Sequence, residues 1–409
     1  GRSGLAAVRK LKASGVQVLL TDREAPEKLS GIQELGLDKE QLILGRTPQW
    51  EEVKAELIVL SPGVSPKLPF IQEGIDQGAQ IWSEVELALR EHPALKIGVT
   101  GTNGKTTTTT LIGELAKRTG RPTLVAGNIG VALSDQVDKL DEQGIVVAEL
   151  SSFQLELIDK LRLNVGILLN ITPDHLDRHG TIENYLQAKA RIFENQRPED
   201  CAILNWDDER VRELGPKLKA RVVYFSPTSL LTEGYGMQGE EIVFAEGGKI
   251  IPLINRRELQ LRGKHNLENV MASIAAARGL GLSWQEIAQG LREFGGVEHR
   301  QEIVGTFEGI LFVNDSKGTN PDAAEKALYA FEEPIVLIAG GKNKGLDFHD
   351  FMKVVKKQVK SLVLVGAAAA EMEEAALDVG ITRYRRAGTF EEAVELAIAE
   401  AEPGDVVLL

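Results

Sequence analysis

The sequence has a single cysteine, few aromatic residues and no long apolar run. Cys201 has no partner with which to form a disulfide within the chain, which fits a reducing cytoplasm. No apolar run reaches the ~18 residues of a membrane span. The net charge of -13, from 60 acidic and 47 basic residues, argues against non-specific nucleic-acid binding. We therefore expect a cytoplasmic protein that uses neither nucleic acid nor a membrane. Because no Met opens the chain and an apolar strand pattern closes it, we expect segments to be missing at both ends.

Length and hydrophobic pattern indicate several α/β domains. At roughly 100–200 residues per domain, 409 residues predict two to four domains. Short apolar strands alternate with amphipathic helices along the chain, a pattern typical of parallel sheets covered by helices. A His-Pro pair at 92–93 precedes a new strand, and paired glycines at 295–296 separate a helix from a further set of strands. The predicted domains are 1–93, 94–297 and 298–409, with a hinge at the paired glycines.

The strongest local signal is a strand at 96–100 that runs into a loop and then a helix. The loop and the start of the helix contain Gly101, Thr102, Asn103, Gly104, Lys105, Thr106 and Thr107. Glycines let the backbone wrap a phosphate, amides at the helix start point toward it, and Lys105 would bring charge to the β and γ phosphates. Thr106 is then placed to bind magnesium. Val99 stands where a strict P-loop has its first glycine, so this is a variant, and a structural Gly-rich turn is the alternative.

Two further strands of this segment end in polar residues. The strand at 145–149 ends in Glu149, where P-loop nucleotidases place a metal-binding acid. The strand at 165–170 leads to a loop with two histidines, His175 and His179, and two aspartates, which could hold a second cation or orient a nucleotide. A solvated carboxylate and a surface histidine are the alternatives. Lys189 follows on a helix, and from sequence alone we expect it to be a solvated surface residue.

Later polar clusters combine amides, cations and one acid. They contain Asn266, Asn269, His299, Arg300, Asp315, Lys317 and Lys344. Asn266 and Asn269 share one face of a predicted helix, where helix capping explains them as well as ligand binding does. The two lysine-bearing loops at strand ends suit carboxylates or phosphates.

Taken in order, these motifs resemble the Mur ligase family of bacterial peptidoglycan synthesis. The match covers nearly the whole chain, from the loop at 101–106 through Gly127-Asn128-Ile129-Gly130 to Asp315-Ser316-Lys317-Gly318-Thr319-Asn320. The last loop is similar to that of the member that adds D-glutamate. The resemblance implies three α/β domains. The first is a Rossmann-like N-terminal domain that binds the uridine nucleotide, the second a central P-loop ATPase-type domain with a mostly parallel sheet, and the third a Rossmann-like C-terminal domain that binds the amino acid.

The resemblance also implies the reaction. ATP would phosphorylate the L-alanyl carboxylate of UDP-N-acetylmuramoyl-L-alanine, the amine of D-glutamate would attack the acyl phosphate, and phosphate would leave. Two magnesium ions and Lys105 would screen the charge as an anionic carboxylate approaches an anionic γ-phosphate. We expect the enzyme to act as a monomer.

Site residues follow from the resemblance position by position. The phosphate and metal site would contain Lys105, Thr106, Glu149, His175 and Lys189, the last as a carbamate that turns a cation into a metal-binding anion. The rest of ATP would contact Asn266, Asn269, His299, Arg300 and Asp315. D-Glutamate would contact Lys317, Thr319 and Lys344, and the muramoyl-alanine arm would contact Asn128, Ser151 and Gln154. The uridine diphosphate would contact Arg2, Ser3, Asp22, Arg23, Ser61, Pro62 and Gly63.

Three other interpretations remain open on the residues alone. A sibling ligase or a folylpolyglutamate synthase would use another acceptor, although Lys317 and Lys344 suit an amino acid with a side-chain carboxylate. A dinucleotide-binding dehydrogenase is suggested by the glycines at 1 and 4 and by Asp22, but it leaves the Gly-Lys-Thr loop unexplained. A non-catalytic nucleotide-binding module leaves Glu149 and His175 without roles.

Overall fold

The computed structural model describes residues 1–261, 263–318, 321–342 and 347–409. Its helices and strands alternate along the chain, which confirms the predicted α/β class. The backbone divides into two compact units. The first contains Gly1–Asn255 and Glu268–Gly290, and the second contains Arg256–Leu267 and Leu291–Leu409. Among the described residues, no helix is both long enough and apolar enough to cross a membrane.

The first unit contains most of the strands. They are β1 (Leu20–Asp22), β2 (Leu42–Leu44), β3 (Leu57–Leu60), β4 (Gln80–Ser83), β5 (Leu95–Thr100), β6 (Thr123–Gly127), β7 (Ile145–Glu149), β8 (Val165–Leu168), β9 (Cys201–Asn205), β10 (Arg221–Phe225), β11 (Gly234–Gln238), β12 (Glu241–Glu246) and β13 (Lys249–Asn255). Its helices are α1 (Arg2–Ala13), α2 (Trp50–Val53), α3 (Pro69–Asp76), α4 (Glu84–Leu89), α5 (Lys105–Lys117), α6 (Leu133–Gln136), α7 (Ser152–Leu155), α8 (Leu176–His179), α9 (Ile182–Ala190) and α10 (Glu209–Arg212). Helices α11 (Lys264–Gly279) and α12 (Trp284–Glu293) contain residues of both units.

The amino-terminal part of this unit contains two small parallel sheets. Strand β1 pairs with β2, and β3 pairs with β4. Strand β1 begins later than the apolar run at 16–20 indicates, because its pairing with β2 starts only at Leu20 and ends at Asp22. Asp22 therefore lies at the carboxyl end of the strand, where the sequence had placed it.

Nine of the described strands form one large sheet in the order β13-β12-β11-β10-β9-β8-β5-β7-β6. The strands from β6 to β11 run parallel, and β12 and β13 extend the sheet as an antiparallel meander. Strand β5 lies between β7 and β8. Because parallel strands end at the same edge, the loops that follow β5, β7 and β8 meet there. This edge brings the predicted phosphate loop, Glu149 and the His175 loop into one place.

Helix α5 anchors the phosphate loop to the core. Its residues Leu111, Ile112 and Leu115 are fully buried. Burying one such side chain stabilises a fold by roughly 1.5–3 kcal/mol, so the helix that begins at Lys105 is fixed by packing rather than by its run of threonines. The predicted strand at 145–149 coincides with β7, and the helix predicted before the paired glycines corresponds to α12.

The second unit contains a smaller sheet with helices. Its strands are β14 (Glu302–Phe307), β15 (Ile310–Asn314), β16 (Ile335–Gly340), β17 (Val359–Val365), β18 (Tyr384–Arg386) and β19 (Val406–Leu408), and its other helices are α13 (Pro321–Leu328), α14 (His349–Gln358), α15 (Ala369–Asp378) and α16 (Phe390–Glu400). The described strands pair in the order β14-β15-β19-β16-β17-β18, parallel except for the β14–β15 hairpin. Asp315 follows β15 directly and therefore lies at the carboxyl end of a parallel strand.

Candidate functional site

The loop between β5 and α5 requires glycine at a close approach of the chain. Gly104 caps α5 with φ at +82°, in the left-handed region that favours glycine. A Cβ there would lie 2.1 Å from Oδ1 of Asn269, which also accepts a hydrogen bond from the Thr108 hydroxyl at 3.1 Å. Glycine is therefore needed for both conformation and space. The structure brings Asn269, predicted to contact ATP, against the predicted phosphate loop.

Lys105 is the first residue of α5 and folds back over its own loop. Its Nζ donates to the carbonyl of Gly101 at 2.9 Å and to that of Thr102 at 2.8 Å. The ammonium therefore lies over the loop that precedes the helix. Amides at a helix N-terminus together with a fixed cation make an anion-binding geometry.

Glu149 is a buried carboxylate with both oxygens engaged. It is 2% exposed, its Oε2 accepts from the Thr106 hydroxyl at 2.8 Å, and its Oε1 accepts from Nδ2 of Asn128 at 2.8 Å. Carboxylate and hydroxyl oxygens are ligands that magnesium prefers, so the chemistry of this pair fits that ion. The structure thus joins two predicted metal ligands, Thr106 and Glu149, to the predicted substrate contact Asn128.

Lys189 is buried against the start of the same loop. It is 2% exposed, and its Nζ donates to the Gly101 carbonyl at 2.8 Å and lies 3.4 Å from the Thr100 hydroxyl. Burial lowers the pKa of Lys189 well below its ordinary value, and the nearby charge of Lys105 lowers it further. The expectation of a solvated surface lysine is therefore wrong, because α9 places this side chain against Thr100 and Gly101 at the end of β5.

His175 opens α8 in a left-handed conformation, with φ at +51°. Its half-exposed ring lies 4.9 Å from the ring of Phe153 and 6.4 Å from that of Tyr185. The Nζ of Lys189 lies 4.7 Å above the centre of the same Tyr185 ring. His175 and Lys189, predicted to serve one metal, therefore both border Tyr185.

Tyr185 is a residue that the sequence did not single out. It is buried, which raises the pKa of its hydroxyl to about 12, and that oxygen accepts a hydrogen bond from the Thr102 hydroxyl at 3.4 Å. Its position four residues before Lys189 on one helix was a usable signal, because residues so spaced share a helix face.

Two of the three predicted contacts for the muramoyl-alanine arm, Ser151 and Gln154, lie in the turn after β7. The hydroxyl of Ser151 donates to Oε1 of Gln154 at 2.9 Å and accepts from the Gln154 amide at 3.3 Å. This reciprocal capping starts α7 and fixes both residues at the edge of the sheet where Glu149 ends its strand.

The predicted uridine-diphosphate residues lie in the amino-terminal part of the first unit. Arg2 and Ser3 are in the first turn of α1, and Ser61, Pro62 and Gly63 form a turn after β3. A Cβ on Gly4 would lie 3.3 Å from the Ser61 hydroxyl, so the start of α1 and this turn adjoin. Asp22 ends β1, and its carboxylate accepts a hydrogen bond from the amide of Glu24, the residue that follows Arg23.

In the second unit the predicted nucleotide residues gather around Gln301. The buried carboxylate of Asp315 accepts from the Gln301 amide at 3.0 Å and lies 3.5 Å from Nη1 of Arg300. Burial raises the pKa of Asp315, and Arg300 opposes this effect. The Oε1 of Gln301 accepts from Nδ2 of Asn266 at 3.3 Å. Gln301 was missed because a glutamine in a loop carries no recognisable sequence signal.

The turn at 299–301 also touches the predicted D-glutamate loop. The amide of Lys317 donates to the His299 carbonyl at 3.0 Å, and Nδ2 of Asn314 lies 2.9 Å from Nδ1 of His299. His299 has φ at +62° and a half-exposed ring. Thr319 and Lys344 lie outside the described residues, so the other two predicted contacts of D-glutamate stay predictions.

Within the described ranges, no group of three or more His, Cys, Asp and Glu side chains could hold a metal ion. The predicted magnesium ligands are a hydroxyl, one carboxylate, one imidazole and a modified lysine. Only two of them, Glu149 and His175, are of these four residue types, so the predicted set would not form such a group. The magnesium positions stay predictions.

Three family models cover most of the chain. The Mur ligase MurD-like N-terminal domain matches residues 1–83, the Mur ligase middle domain matches residues 99–277, and the Mur ligase glutamate ligase domain matches residues 299–409.

Two relatives match the chain from end to end. The UDP-N-acetylmuramoylalanine--D-glutamate ligase of Desulfitobacterium hafniense (strain DSM 10664 / DCB-2) is 81% identical over 409 residues, which cover 100% of this chain and 90% of that protein. The protein of the same name from Pelotomaculum thermopropionicum is 46% identical over 410 residues, with the same two coverages.

Solved structures share the fold at low sequence identity. The UDP-N-acetylmuramate-alanine ligase MurC of Thermotoga maritima has a TM-score of 0.62 at 22% identity, covering 100% of this chain and 93% of that chain. A MurF ligase of the same organism in complex with ADP has a TM-score of 0.59 at 19% identity, covering 86% of this chain and 90% of that chain. At these identities the likeness concerns the fold alone.

Proposed function

Because the chain belongs to the Mur ligase family, we propose that it is the ATP-dependent ligase that joins D-glutamate to UDP-N-acetylmuramoyl-L-alanine. The observation that carries the proposal is the end-to-end identity of 81% to a relative named for that activity. The grouping of Lys105, Glu149 and Lys189 around one loop supports it.

The chemical problem is that a carboxylate and an amine do not condense in water. In the proposed reaction a carboxylate oxygen of the L-alanyl group attacks the γ-phosphorus of ATP, and ADP leaves. The amine of D-glutamate then attacks the acyl carbon, and the bond between that carbon and the phosphorylated oxygen breaks. Phosphate leaves with this oxygen, and the amine loses a proton. The amide is formed because phosphate is a far better leaving group than hydroxide.

The first unit would handle the phosphates. Lys105 and the amides at the start of α5 would hold the β and γ phosphates, where fixed positive charge favours the transition state over the separated reactants. Thr106 and Glu149 would hold the first magnesium ion, and His175 together with a carbamate on Lys189 would hold the second. Magnesium, when bound, supplies charge neutralisation between the approaching anions.

The environment of Lys189 favours the proposed modification. Burial lowers the pKa of this amine, which increases the unprotonated fraction that can add to carbon dioxide to form a carbamate anion with release of a proton. The carbamate would place an anion beside the ammonium of Lys105.

The remaining binding roles follow the sequence predictions. Asn269 in the first unit, and Asn266, His299, Arg300 and Asp315 in the second, would contact the rest of ATP. Asn128, Ser151 and Gln154 would contact the muramoyl-alanine arm, and Lys317, Thr319 and Lys344 would contact D-glutamate. Arg2, Ser3, Asp22, Arg23, Ser61, Pro62 and Gly63 would contact the uridine diphosphate. We assign these roles to segments 1–93, 94–297 and 298–409 of a monomeric cytoplasmic enzyme that needs no nucleic acid or membrane.

Phosphate release tests the proposal. The chain is incubated with ATP, magnesium and UDP-N-acetylmuramoyl-L-alanine, and D-glutamate, L-glutamate, L-alanine and diaminopimelate are compared as acceptors. The proposal expects release that depends on D-glutamate. Turnover with another acceptor would assign the chain to a sibling reaction, and ATP binding without turnover on any acceptor would favour a nucleotide-binding module.

A further inference from the structure

A hydrogen-bonded network connects the turn after β3 with the loop that carries His175. It consists of Ser152, His179, Glu156 and Arg178, all in the first unit, and of these only His179 was considered from the sequence, as one of two histidines in a possible cation or nucleotide loop. We refer to these four residues as the β3–α8 network. The proposed function gives them no role.

The centre of the network is the buried ring of His179. Its Nε2 lies 3.0 Å from the hydroxyl of Ser152, and its Nδ1 lies 3.2 Å from Oε1 of Glu156. A carboxylate can only accept, so Nδ1 carries the proton and Nε2 accepts the hydroxyl proton of Ser152. Burial lowers the pKa of His179, which keeps the ring in this neutral form. The orientation of the ring is therefore fixed from both sides.

The order of a hydroxyl, an imidazole and a carboxylate would suit nucleophilic catalysis if the hydroxyl were accessible. Ser152 is 2% exposed and lies in the first turn of α7. A substrate carbonyl cannot approach its oxygen, so the arrangement serves to position other groups.

Arg178 connects Glu156, the carboxylate that orients the His179 ring, with the turn after β3. Its Nη2 donates to Oε2 of Glu156 at 2.8 Å, and its Nη1 donates to the carbonyl of Val64 at 3.4 Å. The amide of Val64 closes a turn on the carbonyl of Ser61 at 2.9 Å. This turn contains three of the predicted uridine-diphosphate residues, Ser61, Pro62 and Gly63. One guanidinium thus bridges the carboxylate and the substrate turn.

The same side chains hold an aromatic ring against His175. The ring of Phe153 stacks on that of His179 at 5.7 Å with 10° between the planes, and the guanidinium carbon of Arg178 lies 4.6 Å from its centre. The ring of His175 packs on Phe153 at 4.9 Å. A cation over an aromatic face and a stacked ring both restrict the motion of Phe153.

We propose that the β3–α8 network positions the UDP-linked substrate, because the network holds the turn at 61–64 in a fixed position relative to Phe153 and His175. The inference rests on the proposed function for the identity of that substrate. Arg178 acts on the turn directly, whereas Ser152, His179 and Glu156 act through Arg178 and Phe153.

Two variants break the network at its centre and at its outer end. Glu156→Gln removes the charge that orients both His179 and Arg178. Arg178→Lys keeps the charge but offers a single nitrogen, which cannot bridge Glu156 and the Val64 carbonyl at once. Arg162→Lys is the matched control. Arg162 does not belong to the network, and its Nε donates to the buried carboxylate of Asp200 at 2.8 Å.

Calorimetry without ATP measures the Kd of UDP-N-acetylmuramoyl-L-alanine for each protein. We expect about a tenfold rise in Kd for Glu156→Gln and for Arg178→Lys, and about the same rise for the double variant, because both changes interrupt one chain of contacts. The KM for ATP should stay within about twofold. The control should lower the melting temperature and leave Kd unchanged.

An unchanged Kd in a folded Glu156→Gln protein would overturn the inference, as would a double variant whose effect is the product of the two single effects. Amide hydrogen exchange in the peptide that contains residues 61–66 provides a readout that needs no substrate. Faster exchange there in both network variants, and not in the control, supports the positioning role, and equal exchange in all four proteins refutes it. If the wild type bound no UDP-linked substrate, the proposed function would fail, and the exchange result would still decide the positioning role.

Discussion

The phosphate loop after β5, together with Glu149 at the end of β7, and the loop after β15 both combine lysine and acid at the ends of parallel strands, yet the two regions differ in burial. In the first unit Glu149 and Lys189 are buried and have hydrogen-bond partners. In the second unit Asp315 is buried, but Lys317 is exposed and His299 is half exposed. Groups that are fixed before the ligand arrives can stabilise a transition state, whereas exposed side chains become ordered only when the ligand binds. Changes in the first loop should therefore lower kcat, and changes in the second should raise KM.

The largest effect is expected from Lys105→Ala. This change removes the cation that the loop carbonyls hold at the start of α5, and kcat should fall by about a thousandfold or more, since the electrostatic stabilisation of phosphoryl transfer is lost. Steady-state phosphate release measures it. Lys117→Ala on the same helix, where the exposed lysine pairs with Glu114, should keep wild-type activity. A folded Lys105→Ala protein with wild-type kcat would remove the phosphate loop from the mechanism.

Lys189→Ala should lower kcat by about a hundredfold or more, because the proposed carbamate would lose its attachment point. Added formate or acetate should restore part of the rate by supplying a carboxylate in the vacated space. Lys96→Ala is the matched control, since Lys96 is a partly buried lysine of β5 whose Nζ donates to the carbonyl of His92. Full activity of Lys189→Ala without any added carboxylate would exclude Lys189 from the site.

Lys317→Ala should raise the KM for D-glutamate by about ten- to a hundredfold and change kcat far less, because an exposed lysine contributes mainly to binding. The KM for ATP should not change. Lys353→Ala, at an exposed lysine of the same unit that pairs with Asp350, serves as the control. A large loss of kcat with an unaltered KM would contradict the distinction between the two loops.

The smallest effect concerns stability at mildly acidic pH. Burial lowers the pKa of His265 in the second unit from its ordinary 6.5 to about 4. Between these values the unfolded chain binds a proton that the folded chain does not, so stability should fall as pH decreases from 6.5 to 4. Urea midpoints at pH 7 and pH 5 should differ less for His265→Gln than for wild type. An equal difference in both proteins would contradict a buried neutral His265.

Strand and motif positions were predictable because they rest on local patterns. Strand β7 and helix α12 lie where apolar runs and helical periodicity placed them, and the glycine loop before α5 is recognisable from residue types alone. The packing of side chains from separate segments was not predictable. Lys189 was expected at the surface because its burial depends on contacts with Thr100 and Gly101, which are distant in sequence.

The residues that the sequence missed share one property. Tyr185 and Gln301 are defined by contacts to residues distant in sequence, such as Thr102 for Tyr185 and Asn266 for Gln301. Neither belongs to a motif with its own spacing rule. A resemblance assigns roles only to residues that match a known motif. The neighbours that orient those residues are identified only from the folded structure.

Oxygen transfer between the substrates tests the central claim most directly. UDP-N-acetylmuramoyl-L-alanine labelled with ¹⁸O in its L-alanyl carboxylate is converted with ATP and D-glutamate, and the released phosphate is analysed by mass spectrometry. Activation of the carboxylate as an acyl phosphate predicts one ¹⁸O atom in each phosphate released. Unlabelled phosphate accompanying amide formation would contradict the account.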